Sequence, residues 1–526
     1  MVVNDGVIEY LGDIPHERIP ELEVANNSRV IDLKGRTVFP SFIDGHTHLL
    51  QFGASILKFD VNRCRNLDEI RTTIAEAARS APEINRLLFR GWRQSTTDRL
   101  ALASMIDDID PRPIFVDSHD LHSTWCNTAA LKEMGIDRNT PDPVGGSISR
   151  NEKGDPTGLV NEGAVITLVW PHLIGAASRE DKLDWIRTAM KSYRASGYTG
   201  IIEMAMDEGV WELLESLREM SQLDLWIAAH WIMFPTENDE ENLAQVQQAA
   251  NMRAKYNLDN SPDFRIAGIK IICDGVVDSC TAALSKPYLV PPHSTGGLNW
   301  TSSALRKVVA KADSEGLQIA MHAIGDAATN QAINVLENLE TTGRRHRIEH
   351  LELTRPEDAE RLGRLGITAS IQPVHSDPSG LEAWPALIGT ERCDWAFTHK
   401  RFHDSGAQIA IGTDAPTAPH QPFPNLYVAN TRSSVRDPSN HWKINGCEPL
   451  SLHQCFSAAS WGSAFSCFAE SITGSLEVGK RADFIVVDGL SEDLSAQTLL
   501  LASVAQTWMC GQLVFQRQAN SEGVFD

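Results

Sequence analysis

The sequence predicts an α/β protein: a (β/α)8 TIM-like barrel with a large insertion after strand one, plus a small β-sandwich domain built from both termini. Two observations predict the barrel. From about residue 180, short β-branched runs alternate with amphipathic helical runs, and seven such strands follow a first strand that ends at His46. Alternating strands and helices form βαβ units with a parallel sheet, and eight such units close into a barrel.

Strands two to eight are apolar, β-branched runs of four to six residues bounded by polar or glycine positions. We predict them at residues 200–204, 225–230, 266–271, 317–322, 347–350, 367–371 and 408–412. Helical periodicity between them predicts helices over residues 182–195, 210–220, 241–256, 303–315, 327–340 and 356–365.

Well over a hundred residues separate strand one from strand two, whereas a βα unit needs only about 30. This indicates an insertion at about 50–180, with a strand at 113–116, a helix at 128–134 and a glycine-rich turn at 142–146. Insertions after a barrel strand lie on the catalytic face, so we expect this one to cover the active site.

Both ends of the chain contain short strand-like runs, at residues 5–12, 482–487, 504–509 and 512–515. We predict that they pair into one small domain of residues 1–39 and 472–526, beside a barrel of residues 40–471.

The composition argues against several classes of partner and location. The chain has 526 residues and a formal net charge of −22, which argues against nucleic acid as a partner because phosphate binding requires a basic face. The nine cysteines are scattered without a Cys-x-x-Cys pair, which is typical of a reducing compartment. Neither a signal peptide nor a window of ~18 apolar residues is present. We therefore expect a cytoplasmic protein with no membrane partner.

Strand one ends in His46-Thr47-His48. Side chains at i and i+2 of a strand point to the same face, so the two imidazoles converge as a divalent metal requires. Ligand-type residues also end four later strands: Lys270, His322, His350 and Asp414. Any one of them has a structural explanation, such as a turn for Asp414. Their joint placement at one edge of a barrel favours a metal centre.

Several stretches around these residues form a recognisable set. They are residues 42–48, Lys270 with Asp274-Gly275, 322–326, 347–350, 370–375, 412–416 and 474–483. The set resembles the amidohydrolase superfamily, specifically its amidohydrolase 3 branch, the group around YtcJ-like hydrolases and N-substituted formamide deformylases. The resemblance covers nearly the whole chain. Members of this group usually have a further strand before the Asp5-Gly6 turn, so the sequence leaves open whether the small domain is complete.

The resemblance implies how the ligands are shared. His46 and His48 would hold the first metal with Asp414, and His322 and His350 would hold the second. Lys270 would be carboxylated and bridge the two, because an unmodified ammonium would be repelled by divalent cations. Imidazole and carboxylate ligands suit zinc, with manganese or iron as alternatives. The number of ions, one or two per chain, stays open.

These ligand types predict a mechanism. A bound metal lowers the pKa of water towards ~7, and Asp414 would accept the proton and pass it to the departing nitrogen. We therefore expect hydrolysis of a carboxamide or formamide C–N bond, with a small-molecule amide as the substrate.

Other candidates are less specific. His375, after strand seven, either contacts the substrate or oxyanion as a catalytic residue or has a structural role. His122, Glu162 and Asp274 are candidate substrate-binding residues, although loop capping explains the first two equally well. Three tryptophans either line an apolar pocket or pack in the core: Trp92, Trp125 and Trp170.

Two alternatives remain open at this point. One is a mononuclear hydrolase or deaminase in which Lys270 stays unmodified. The other is a non-catalytic barrel that serves as a scaffold, although such a protein would be expected to lose ligands, and all six are present. Barrels of this kind often pair, so a homodimer is a further expectation.

Overall fold

The computed structural model describes residues 1–13, 29–98, 100–118, 123–143, 146–339, 343–490 and 494–518. Eight parallel strands form its main sheet, and their order in the sheet follows their order in the chain. The strands are Phe42–Thr47, Tyr198–Met206, Trp226–Met233, Phe264–Ile272, Gln318–Ala323, Arg347–His350, Thr368–Ile371 and Ile409–Ile411. All eight strands that the sequence predicted are therefore confirmed.

Strand eight returns to strand one, so the sheet nearly closes into a barrel. The Asp414 amide donates to the His46 carbonyl at 2.7 Å, and the His48 amide donates to the Ala415 carbonyl at 3.1 Å. A Cβ atom at Gly412 would lie 2.4 Å from the His46 nitrogen, so only glycine allows this close approach. The closure places the ends of strands one and eight side by side.

Helices cover the outside of the barrel, and their first turns are capped as the sequence suggests. Asp207 accepts from the Val210 amide, and Ser178 forms a capping box with Asp181. The predicted helices are confirmed with shifts of up to three residues at their ends. The helices around the barrel are Leu49–Ile56, Arg179–Ala195, Glu208–Glu219, Asp239–Lys255, Ser302–Ser314, Asp326–Glu337, Pro356–Arg364, His399–Asp404 and Pro422–Thr431.

The main core lies between the barrel strands and these helices. Strand three is buried along its whole length, Trp226–Met233, because a parallel strand has covered neighbours on both faces. Ile227 from this strand and Leu214 and Val308 from two helices belong to the same buried cluster. The apolar runs that identified the strands are thus the runs that this core requires.

The insertion folds around a six-stranded sheet. The strands are Phe59–Asp60, Leu87–Trp92, Ile114–Ser118, Ser123–Cys126, Gly146–Arg150 and Pro156–Glu162, and the helices are Leu67–Ser80, Thr128–Glu133 and Trp170–Ala176. The predicted strand and helix of the insertion are confirmed, whereas Val144 and Gly145 of the predicted turn lie outside the described residues. Trp92 and Trp125 are fully buried in the core of this sheet, 5.6 Å apart between ring centroids.

The two termini meet in a small β domain of two sheets. Val2–Asn4 and Val7–Tyr10 form a hairpin, and a four-stranded sheet contains Thr37–Pro40, Phe484–Asp488, Ser503–Met509 and Gln512–Gln516. Asp5 and Gly6 turn the hairpin with φ values of 46° and 80°. Ile8 packs in one cluster with Phe484 and Val486. The strand before the turn, which the sequence left open, is therefore present; the boundaries at residues 39 and 472 stay a prediction.

Among the described residues, no helix has the length and apolar composition that crossing a bilayer requires.

His399 makes the stability of the barrel sensitive to acid. It is 4% exposed, and its Nε2 has no hydrogen-bond partner within the described ranges. Burial, with a smaller effect of Arg432, lowers the pKa of His399 from 6.5 to about 3. Between these two pH values the unfolded chain binds a proton that the folded chain excludes, so stability falls as pH is lowered through this range.

The wild type loses unfolding free energy between pH 7 and pH 5. We expect this loss to be smaller by about 2 kcal/mol in His399→Phe, because the variant has no buried histidine to protonate. The measurement is the urea unfolding midpoint at both pH values. His441→Phe, at an exposed histidine, is the matched control and should follow the wild type. An unchanged pH dependence in His399→Phe would contradict this assignment.

Candidate metal centre

The carboxyl ends of strands one and eight bring three of the predicted ligands into contact. The Nε2 atom of His48 lies 3.1 Å from Oδ1 of Asp414, and the Nε2 atom of His46 lies 3.4 Å from the same oxygen. One nitrogen each of His46 and His350 and one oxygen of Asp414 all lie within 4.8 Å of one another. Residues from strands one, six and eight are therefore close enough to share an ion.

Strands four and five supply the remaining two candidates. Lys270 places its Nζ 3.5 Å from Nε2 of His46. The ring centroids of His322 and His350 are 4.5 Å apart, and those of His350 and His46 are 4.9 Å apart. All six predicted ligands thus lie at one edge of the barrel, and their roles as ligands stay a prediction.

The protonation states of these residues suit a metal. Burial lowers the pKa of His46 to about 4 and that of His322 to about 3, so both imidazoles are neutral at pH 7, the form that binds metals. Burial also lowers the pKa of Lys270 to about 8. The Nδ1 atom of His350 is buried without a hydrogen bond to any described residue. Such atoms are costly unless an ion or another group pairs with them, so the donor set fits a divalent metal.

Glu349 orients the imidazole ring of His46. Its Oε2 lies 2.7 Å from Nδ1 of His46, which leaves Nε2 of the ring to face Asp414. Arg347 bonds Oε1 of the same carboxylate at 2.6 Å and also donates to the Gly45 carbonyl at 2.6 Å. Sequence reasoning missed this role. The sequence did contain a signal for it. Arg347 and Glu349 are two residues apart in a short buried strand, so their side chains face the same side and can pair.

Asp44 joins strand one to strand eight. Its carboxylate accepts hydrogen bonds from the Thr413 amide at 2.9 Å, the His46 amide at 3.1 Å and the Tyr193 hydroxyl at 3.0 Å. These bonds connect the residues that precede His46 and Asp414 in the chain. Asp44 therefore helps to hold the two ligand-bearing ends at a constant separation.

His375 lies beside the candidate ligands. Its Nδ1 is 3.1 Å from Oε1 of Glu352, and its Nε2 is 3.7 Å from Oδ2 of Asp414 and 3.3 Å from the Thr417 hydroxyl. Burial by itself lowers the pKa of His375, but the hydrogen bond with Glu352 and the negative charges of Glu352 and Asp414 together outweigh it and raise the pKa. Glu352, which sequence reasoning did not single out, therefore orients His375 toward Asp414. The catalytic role of His375 stays a prediction.

Asp274 is a buried carboxylate that follows strand four and lies next to His322. It accepts from the amides of Ala283 at 2.9 Å, Ile324 at 3.1 Å and Gly325 at 2.8 Å, and it lies 3.6 Å from Nε2 of His322. Three backbone bonds favour a role in holding the loops after strands four and five. Burial raises the pKa of Asp274 to about 7.

The other two predicted substrate-binding residues are in the insertion. Glu162 is the last residue of the strand Pro156–Glu162, and its side chain lies outside the described part of the chain. His122 falls in the interval 119–122, which also lies outside the described residues.

A mainly apolar pocket lies between the barrel and the insertion. Gln51 and Pro416 form part of its wall on the barrel side. The insertion contributes Trp170 and the buried ion pair of Lys58 with Asp117. Trp170 thus lines a pocket, whereas Trp92 and Trp125 pack in the core of the insertion. That the insertion covers the active site stays a prediction.

A nearly closed eight-stranded barrel with histidine, lysine and aspartate side chains gathered at the carboxyl ends of its strands defines the class of metal-dependent barrel hydrolases. Comparison with known proteins gives the particular family. The chain belongs to the amidohydrolase family, whose Amidohydro_3 model matches residues 29–515.

Individual relatives are similar along their whole length. The chain is 28% identical to YtcJ of Bacillus subtilis, covering 98% of this chain and 95% of that protein. It is 23% identical to an N-substituted formamide deformylase of Arthrobacter pascens, covering 94% and 91%. A solved structure of an uncharacterized metal-dependent hydrolase from Pyrococcus horikoshii shares the fold, with a TM-score of 0.76, 24% identity and 94% of each chain covered.

Proposed function

We propose that this protein hydrolyses a non-peptide C–N bond in a small carboxamide or formamide. The observation that carries the proposal is the convergence of His46, His350 and Asp414 within 4.8 Å at the ends of three different strands. Membership of the amidohydrolase family and similarity to an N-substituted formamide deformylase support it.

His46, His48 and Asp414 would hold one divalent ion, and His322 and His350 a second, with a carboxylated Lys270 between them. When bound, such ions, zinc in the first instance, lower the pKa of water and polarise a carbonyl group. Asp414 and the modified lysine would supply the negative charge that stabilises cations in a buried site, and the histidines would complete the ligand set.

Asp414 would act as the general base and then as the general acid. Its carboxylate accepts a proton from the attacking water while a C–O bond forms at the substrate carbonyl. It then donates that proton to the nitrogen as the C–N bond breaks, so the products are a carboxylic acid and an amine. His375, whose Nε2 lies 3.7 Å from Oδ2 of Asp414, would hydrogen-bond the oxygen on which negative charge develops.

The test is elemental analysis of protein purified without chelators, followed by a panel of amides and formamides. About two ions per chain and hydrolysis of a panel member would support the proposal. One ion would favour the mononuclear alternative with an unmodified Lys270. No ion and no hydrolysis, even after reconstitution with zinc and bicarbonate, would leave the scaffold alternative. A cytoplasmic location, a homodimer and the lack of nucleic-acid and membrane partners stay predictions.

Lys270→Ala is expected to lower the metal content from about two ions per chain to about one, and kcat by about 10²- to 10³-fold, because the bridging oxygens are lost. Lys191→Ala, at an exposed helical lysine, is the matched control and should keep both values. The measurements are elemental analysis and initial rates on the best panel substrate. Retention of two ions in Lys270→Ala would contradict a bridging role.

A further inference from the structure

Gln372 follows strand seven and carries a buried amide with no protein partner. The residue is 2% exposed, and neither its Nε2 nor its Oε1 has a hydrogen-bond partner in the part of the chain that the structure describes. A primary amide offers two donors and an acceptor, and leaving all of them unpaired in a protein interior is unfavourable. Such a group is completed by water, an ion or a bound molecule.

The register of strand seven shows where this amide lies. Ser370 accepts from Arg347 inside the barrel at 2.7 Å, and side chains two residues apart on a strand share a face. Gln372 is therefore on the interior face, beyond Ser370 in the direction of the carboxyl ends. The ladder with strand eight reaches the bond from the Gly412 amide to the Ile371 carbonyl at 3.0 Å, which places Gln372 beside Gly412, two residues before Asp414.

The backbone around this residue is held firmly. Asn425 accepts from the Val374 amide at 2.8 Å and donates to the Gly412 carbonyl at 3.0 Å, and the His375 amide donates to the Gln372 carbonyl at 2.9 Å. The strand end that carries the Gln372 amide is therefore ordered and not frayed.

A buried atom without a hydrogen bond to any described residue also occurs on the flanking strand six. It is Nδ1 of His350, a residue of the candidate ligand set. Gln372 and His350 thus lie at the same edge of the barrel, and both carry such an atom.

We propose that Gln372 binds the amide group of the substrate, and that this makes the enzyme selective for secondary amides that retain an N–H. This inference rests on the proposed hydrolase function. Oε1 of Gln372 accepts a hydrogen bond from the substrate N–H, and its Nε2 donates to a substrate oxygen. A substrate without the N–H leaves Oε1 buried and unpaired. A binding site discriminates strongly against an analogue that leaves one of its buried polar groups without a partner.

The experiment compares two pairs of substrates that differ only in the N–H: N-methylformamide with N,N-dimethylformamide, and acetanilide with N-methylacetanilide. The metal-loaded wild type is expected to show a kcat/KM at least about 100-fold higher for the N–H member of a pair. Gln372→Leu and the unbranched Gln372→Met should each reduce this ratio at least about tenfold while keeping the metal content. Gln331→Met, the same change at a buried glutamine on a barrel helix, should leave the ratio unchanged.

Equilibrium binding provides a second readout. Titration calorimetry with Asp414→Asn protein should show the same preference for the N–H member, and adding Gln372→Leu should remove it. An unchanged ratio of kcat/KM values in both Gln372 variants would overturn the inference. Loss of metal from the variants would also overturn it, because the Gln372 amide would then contribute to metal binding instead of substrate binding. A wild type that hydrolyses no amide at all would instead overturn the proposed function, and this inference with it.

Discussion

Asp414→Asn is expected to lower kcat by about 10³- to 10⁴-fold, because the variant loses the group that accepts and returns the proton. Asparagine has the same shape as aspartate but carries no charge. Its amide nitrogen would also place donors against the imidazoles of His46 and His48, whose Nε2 atoms lie 3.4 and 3.1 Å from Oδ1. The measurement is the initial rate on the best amide of the panel, with metal content determined in parallel.

The backbone makes asparagine the right choice for this test. Asp414 has a φ of 57°, in the left-handed region that asparagine and aspartate tolerate and that is unfavourable for most other residues. An alanine would add backbone strain to the loss of the carboxylate. Asp259→Asn, at an exposed aspartate, is the matched control. If Asp414→Asn retains kcat within about threefold at normal metal content, Asp414 is not the general base.

Glu349→Gln is expected to lower the free energy of unfolding by about 3 kcal/mol and to weaken metal binding by about 10- to 100-fold. The carboxylate is fully buried and lies 2.6 Å from Arg347 and 2.7 Å from His46. Removing its charge leaves the Arg347 guanidinium uncompensated in the interior. It also weakens the hydrogen bond that orients His46. Urea midpoints and chelator competition measure the two effects.

Glu337→Gln is the matched control for the stability effect. Glu337 pairs with Arg361 and Arg364 at the surface, where an ion pair contributes at most about 1 kcal/mol. Replacing both members of the buried pair, Arg347→Met with Glu349→Leu, separates the two roles, because no uncompensated charge remains. The double variant should recover stability and still bind metal weakly. Normal metal affinity in either variant would show that Glu349 does not orient His46.

Local sequence patterns were sufficient for the barrel strands. Trp226–Met233 is buried throughout, and an apolar run bounded by polar residues indicates such a strand wherever it occurs. The ends of helices shifted by up to three residues, because capping residues such as Asp207 act before the apolar periodicity begins. The insertion was harder to predict, since its sheet mixes parallel and antiparallel strands and short strands carry a weak periodic signal.

The candidate ligands could be found from sequence because barrel topology places every strand end at one edge. His46, His322 and Asp414 each end a predicted strand, and nothing more than the strand order was needed to bring them together. Their supporting residues could not be found in this way. Glu349 contacts His46 across 303 positions of the chain, and Glu352 and Gln372 owe their significance to the partners that they have or lack.

The sequence by itself therefore determined the fold class, the strand that carries each candidate ligand and the chemistry of that ligand set, because strand periodicity and ligand type are local properties. The tertiary structure alone decided that Glu349 orients His46, that Asp274 holds two loops and that the Gln372 amide has no hydrogen-bond partner among the described residues. It also decided that Trp92 packs in a core while Trp170 lines a pocket. These properties depend on distances between residues remote in the chain, and such distances follow from how the barrel and its insertion pack together.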